Sequence, residues 1–188
     1  FNYKRFWFIF VYGNLLCLHF IKLIETRRSI RSYKKEPVSE KDLNKILEAG
    51  TYAPTGGGRQ SPTIVAVTSP KYREKITELN EKVRKTSNDP YYEAPIVILV
   101  LADGNASNFA EDGSCVLMNM MLAAHSLGLG TVWVAKEREI FDSEEGKELL
   151  KEWNLPTTLR GVGAIALGYA NEEPKEAAPR KKDYIVRV

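Results

Sequence analysis

Glu25-Thr26-Arg27-Arg28-Ser29-Ile30-Arg31 is the stretch around which the rest of the chain organises. Three arginines and a serine fall within residues 27–31, where an apolar helical pattern runs out. Arg is ionised at neutral pH and presents planar forks of donors that match phosphate oxygens. A phosphate monoester, carrying about −1.5 to −2 charges, suits such a cluster. A solvated basic helix end is the alternative, because cations also favour the C-terminal pole of a helix. Upstream, Leu15, Leu16, Leu18, Ile21, Leu23 and Ile24 predict an amphipathic helix that ends near Thr26. Downstream, Ser32 to Val38 contains Pro37 and is expected to be extended.

Beyond it, helical and strand patterns alternate. Ser39-Glu40-Lys41-Asp42 opens a second helix with a capping-box-like start, Leu43, Ile46 and Leu47 share one face, and Gly50 is expected just past its end. Ala53-Pro54-Thr55-Gly56-Gly57-Gly58-Arg59-Gln60-Ser61-Pro62 follows. Three successive glycines let backbone N–H groups approach a ligand, although a plain flexible loop reads the same way. No Gly-Lys-Ser/Thr follows, which excludes a Walker loop. Ile64 to Val67 predicts a buried strand, and Ser69-Pro70 starts a helix carrying Tyr72, Ile76, Leu79 and Val83. Ser87 to Glu93 predicts a loop that exposes Tyr91 and Tyr92, before the apolar strand Ile96 to Leu101.

Residues 109–127 form the most hydrophobic helix, apolar all round and expected at the buried centre. Its methionines read as core filler and His125 as structural rather than catalytic. Thr131 to Ala135 is another strand, Ser143 to Trp153 a helix, and Gly161 to Tyr169 a strand whose glycines imply close packing. Gly161-Val162-Gly163 is not a dinucleotide fingerprint, since Glu172-Glu173-Pro174 follows the strand instead of a helix. The basic run Arg180-Lys181-Lys182 is either a solvated turn or a second set of cations for the same phosphate. The alternation gives one α/β or α+β domain, with a strand order these patterns do not specify.

Composition narrows the function. A chain of 188 residues with 44% hydrophobic residues is long enough for one real core. A net charge of +3, with basic residues interspersed among acidic ones, gives no nucleic-acid footprint. Two distant cysteines, Cys17 and Cys115, and two histidines, His19 and His125, argue against a disulfide framework or a zinc site and suit a reducing cytoplasm. Residues 1–19 read as an N-terminal extension ahead of the domain, 20–188. The apolar and aromatic run behind Lys4-Arg5 is broken by Gly13, Asn14, His19 and Lys22, so an appended or upstream-derived extension, expected to bury itself against a partner subunit, is the leading reading and a membrane anchor the minor one.

Taken in order, the motifs resemble the flavin-dependent nitroreductase family in its small single-domain members. The resemblance rests on Glu25 to Arg31, Ala53-Pro54-Thr55-Gly56 through Gln60-Ser61, Asn119 to Gly130, Gly168-Tyr169 and the final Pro-Arg-Lys segment. It implies an α+β fold with a central, mainly antiparallel sheet flanked by helices, in an intertwined homodimer with FMN at the subunit interface. By resemblance, Arg27, Arg28, Ser29 and Arg31 form the FMN-binding arginine motif, with Arg31 near the pyrimidine edge, where positive charge stabilises the reduced cofactor. Arg180 and Lys182 match phosphate contacts. Pro54, Thr55, Gly56, Gly57, Gln60 and Ser61 match the loop that reaches the flavin from the other subunit, and Trp133, Val134 and Ala135 would lie beside the ring. Many members have Asn where this chain has Gly58 and an aromatic where it has Pro62. The implied activity is ping-pong hydride transfer through the flavin, from NADH or NADPH to a nitroaromatic, quinone or similar flat acceptor. No side-chain nucleophile is needed for that chemistry. Flavin reduction, or flavin binding in a regulatory protein with little turnover, are the alternatives.

Overall fold

The computed structural model describes residues 19–188, so residues 1–18 of the expected extension, with Leu15, Leu16 and Leu18 of the first expected helix, lie outside the described residues. Helix α1 runs over residues 19–26. It is followed by α2 (Glu40–Thr51), β1 (Pro62–Val67), α3 (Pro70–Arg84), β2 (Ile96–Asp103), α4 (Phe109–Ser126), β3 (Gly130–Val134), α5 (Glu137–Asp142), α6 (Glu144–Glu152) and β4 (Leu159–Gly168). The sheet order is β1-β2-β4-β3, and each neighbouring pair is antiparallel. The fold is α+β, as the resemblance implies.

β2 shows why the sheet sits at the centre. Ile96 to Ala102 are all buried, so the strand reads as an unbroken apolar run instead of an alternating one. Side chains still alternate between its faces. Val97, Leu99 and Leu101 join Ile76, Tyr91, Phe141 and Leu150 in one core, under α3, α5 and α6. Ile96, Ile98 and Val100 join Ile46, Leu117 and Met120 in the other, under α2 and α4. Two helical layers therefore cover one sheet.

Several expectations are corrected. Gly50 lies inside α2, not past its end, which Tyr52 caps. A Cβ on Gly50 would come within 2.8 Å of Met120 and 2.9 Å of Ile64, so this glycine serves the close crossing of α2 over α4. α4 is not covered all round: Met118 is 43% exposed and Cys115 is exposed. Tyr91 is fully buried rather than displayed in a loop, whereas Tyr92 is 37% exposed. The short α5 was not anticipated. Ser143 ends it and at once caps α6, its hydroxyl oxygen accepting the Gly146 N–H at 3.1 Å. Among the described residues no helix is long and apolar enough to cross a membrane.

The arginine segment is laid along the edge of the sheet. Ser29 bridges Thr131 of β3 in parallel, and the Ile30 N–H donates to the Thr131 carbonyl at 3.0 Å. Ile30 is buried against Gly130, where a Cβ would meet it at 2.9 Å. In an extended segment alternate residues face opposite ways, so anchoring Ile30 inward turns Ser29 and Arg31 outward. Tyr33 fastens the far end, donating to the Ile30 carbonyl at 2.6 Å.

Candidate functional site

The outward residues of this segment open into a cleft of about 660 Å³. Arg27, Arg28, Ser29 and Arg31 form one wall, and Lys175 and Arg180, some 150 residues later in the sequence, form the other. Among the described residues, Glu25 and Glu176 are the only carboxylates in the lining, so five cations face two anions. Arg27 stands out. Among the described residues its Nη1 is buried without a hydrogen-bond partner, and burial together with the neighbouring Arg28 charge holds its pKa below the usual Arg value. A buried donor left unsatisfied costs about 1–3 kcal/mol, which an anion in the cleft would relieve. Arg28 spends Nη1 on the carbonyls of Glu25 and Arg27, both at 2.7 Å, and so caps the end of α1. The Arg31 N–H is held by the Glu172 carboxylate. Arg180 donates to the Ala178 carbonyl at 2.8 Å, and Lys182 lies exposed outside the cleft lining.

His125, in the last turn of α4, braces this segment from behind. The Thr26 hydroxyl donates to the Lys22 carbonyl at 2.7 Å, which leaves its oxygen to accept the His125 Nε2–H at 3.0 Å. Burial, then Arg27 and Arg28, hold the imidazole pKa below its usual value. His125 thus ties the last turn of α4 to the end of α1.

The glycine loop is built separately. Gly56–Gly58 makes one tight turn in which Gly57 and Gly58 take φ of 62° and 68°, a region open to glycine but strained for other residues. The Gly56 N–H donates to Asp112 Oδ1 at 2.9 Å, and the Ser61 hydroxyl donates to Asp112 Oδ2 at 3.3 Å. The Thr55 hydroxyl oxygen accepts the Gln60 N–H at 3.0 Å. Pro54 and Gly57 are exposed at its surface. Asp112 belongs to the first turn of α4, whereas His125 belongs to its last. At 1.5 Å per residue the two lie about 20 Å apart along the helix. One chain therefore keeps its glycine loop away from its own cationic cleft.

The third predicted group is on β3. Trp133 is 37% exposed and lies across Gly163, where a Cβ would come within 2.6 Å of the indole Nε1. Val134 is buried. The Ala135 carbonyl accepts from Arg84 Nη2 at 3.0 Å and lies 3.3 Å from Asn80 Nδ2. Since Thr131 carries Ser29, the run from Trp133 to Ala135 continues the same sheet edge. Sequence reasoning missed Asp112, Glu172 and Lys175. Only Asp112 left a signal, as an acid in the first turn of a helix.

The chain matches the family model described as Nitroreductase family over residues 24–169. A protein of Archaeoglobus fulgidus that carries the provisional name NADH dehydrogenase/NAD(P)H nitroreductase is 31% identical over 159 residues, covering 81% of this chain and 86% of that one. An FMN reductase (NAD(P)H) of Bacillus subtilis is 27% identical over 195 residues, covering 88% and 74%. A crystal structure of a nitroreductase with bound FMN from Bacteroides fragilis superposes with a TM-score of 0.82 at 28% identity, covering 90% of this chain and 98% of that one. The match runs from the arginine segment to the end of the last strand, and the chain belongs to the nitroreductase family.

Proposed function

We propose that the protein is an FMN-dependent oxidoreductase that takes electrons from NADH or NADPH and passes them to a flat acceptor such as a nitroaromatic or a quinone. The observation that carries this reading is the buried, unpartnered Nη1 of Arg27 in a cleft where five cations face two carboxylates. A phosphate monoester is dianionic near neutral pH, so this donor set fits the phosphate end of FMN. Arg27, Ser29, Lys175 and Arg180 would hold that phosphate, and Arg31 would lie toward the pyrimidine edge. Trp133, Val134 and Ala135 would flank the ring. When bound, FMN supplies two-electron hydride chemistry at its N5 atom. The chain contributes position and charge: Arg31 favours negative charge at the ring edge, and the Trp133 face keeps water off it. Donor and acceptor would use that pocket in turn. Relatives named FMN reductase and NADPH-dependent oxidoreductase support the electron donor.

The site would be completed by a second copy. Its Pro54-Thr55-Gly56-Gly57 turn, with Gln60 and Ser61, would reach the cleft that the chain's own loop stands about 20 Å from along α4. Exposed apolar residues support such an interface: Phe20 and Ile24 on α1, Met118 on α4, and Tyr184 and Ile185 in the tail. The cysteine usage suits a reducing cytoplasm.

The test is the purified protein's absorption spectrum and mass in solution. A yellow dimer that NADH or NADPH bleaches, and that a quinone then recolours, is expected. A colourless monomer that cannot be reconstituted with FMN would refute the reading.

A further inference from the structure

On the face of the sheet away from α4, the first residue of α5 is a carboxylic acid with nowhere to put a charge. Glu137 is fully buried. Its Oε1 accepts the Tyr91 hydroxyl and the Asn80 amide, each at 3.2 Å, and its Oε2 is buried without a hydrogen-bond partner among the described residues. Asn80 and Tyr91 are themselves fully buried. Arg84 Nε donates to Asn80 Oδ1 at 2.7 Å, which orients the amide so that its NH2 faces the Tyr91 hydroxyl oxygen at 3.1 Å, Glu137 Oε1 and the Ala135 carbonyl. Arg84 is thereby spent on Asn80 and Ala135 and reaches neither Glu137 oxygen.

Three backbone features converge on the same place. Lys136, between Ala135 and Glu137, has φ of 97°, a conformation that costs a non-glycine residue about 1–3 kcal/mol. Gly161 of β4 packs so closely that a Cβ would come within 2.2 Å of the Glu137 carbonyl. The Ala135 carbonyl is held from α3 by both Asn80 and Arg84. A strained turn, directly after Trp133 and Val134, is thus fixed by α3 and β4, with Glu137 as its inner post.

Burial, not the hydrogen bonds, favours the proton on Glu137. A neutral acid can use Oε1 as the acceptor for both donors and keep its hydrogen on Oε2. A carboxylate would leave a charged oxygen bare in a dry site. Burial pushes the Glu137 pKa up to about 7, against the lowering pull of its own backbone N–H, then of Tyr91 and Arg84, and with a small push from Glu139. The other charges nearby are already occupied. Arg73 lies 5.1 Å over the Tyr91 ring and pairs with Asp89, Lys136 pairs with Glu139, and Arg138 lies over Phe109.

We propose that Glu137, as the neutral acid, is a positioning residue that sets the Trp133–Lys136 turn for flavin binding, so that losing its proton loosens the turn and weakens the cofactor's hold. The proposal rests on the FMN reading above. Its reciprocal is that a bound flavin makes Glu137 harder to ionise.

The test compares the parent with Glu137→Gln, which keeps an Oε1 acceptor and cannot ionise. Flavin affinity of the apoprotein, read by quenching of FMN fluorescence, should weaken about 5- to 10-fold in the parent as pH rises through the Glu137 transition. It should stay flat, at the low-pH value, in Glu137→Gln. Between the ordinary carboxylate value of 4.5 and about 7, the infrared band of a buried protonated carboxyl should be present in the parent and absent from the variant. Tyr91→Phe removes a donor that favours the ionised form, and should move the parent's transition to higher pH. An unchanged pH profile in Glu137→Gln, or a parent without the protonated-carboxyl band, would overturn the proposal. If neither protein binds flavin, the function reading fails on its own, and amide exchange of residues 134–137 decides the remainder. Exchange that speeds up with pH beyond its intrinsic rate in the parent alone supports the proton-held turn, and an equal response in both proteins overturns it.

Discussion

Arg27→Met separates what the cleft costs the free protein from what it gives to binding. Met keeps the aliphatic length of the side chain and removes the guanidinium. In the ligand-free protein that group leaves Nη1 buried without a partner, beside the charge of Arg28. An unsatisfied buried donor costs about 1–3 kcal/mol. Arg27 is only half-buried, so the lower part of that range applies. The flavin-free variant should therefore match the parent or exceed it by about 1 kcal/mol, read as a rise of about 2–4 °C in Tm. Binding should move the opposite way. Removing one partner of a buried, hydrogen-bonded charge costs about 2–5 kcal/mol. That corresponds to a loss of about 30- to 5,000-fold in FMN affinity. Riboflavin, which lacks the phosphate, should bind parent and variant alike. The assay is urea unfolding of both apoproteins, with parallel titrations of FMN and riboflavin. A variant that is destabilised by more than about 1 kcal/mol, yet binds FMN like the parent, would refute the reasoning and make Arg27 a structural residue.

Other outcomes follow from single contacts. Asp112→Ala removes the acceptor for the Gly56 N–H and the Ser61 hydroxyl, and should cost about 2–3 kcal/mol in urea unfolding, with Asp112→Asn costing less because one acceptor remains. Equal losses would show that the clamp does not depend on these bonds. Gly161→Ala drives a methyl group against the Glu137 backbone, where no flexible side chain can give way, and should lower stability by about 3 kcal/mol in thermal melts. Glu137 also sets a pH slope for stability. Its folded pKa of about 7 lies above the ordinary 4.5, so between those values the native state binds more protons than the unfolded state. Stability from this group is full below the lower value, falls as pH rises and levels off above the upper one, by about 3 kcal/mol in all. Urea unfolding of the parent and Glu137→Gln at both ends of that window should diverge by this amount, and parallel curves would remove the slope from Glu137.

The strands were legible because their residues settle the matter locally. Ile64 to Val67, Ile96 to Leu101 and Gly161 to Gly168 are apolar runs bounded by turn residues, and all three are strands. Ser39 was legible as a cap for the same reason: its hydroxyl oxygen accepts the Asp42 N–H at 3.1 Å. The sheet order β1-β2-β4-β3 was not, because pairing depends on residues far apart in the chain. Tyr91 shows how tertiary contact overrides local polarity: it sits in a polar loop, yet its hydroxyl belongs to Glu137. The six residues of α5 are too few to display a helical period. Of the candidate site, the arginine segment stood out by its charge density, which a solvated basic helix end explains as well, and only the other motifs in order turned the reading toward an anion. That Arg28 would turn back to cap α1 was not legible, nor that Lys175 would line the cleft while Lys182 stayed outside it.

α4 keeps the Asp112 end, with its glycine turn, apart from the His125 end, with its arginines. In the proposed dimer each pocket then borrows one half from either chain, and damage becomes a property of pairs. A chain disabled at Arg27 and a chain disabled at Asp112 would each be inert as a homodimer. Mixed together, they would pool both faults in one pocket and leave the other whole. Two dead alleles could thus rescue each other inside one cell, while two alleles with faults in the same half could not.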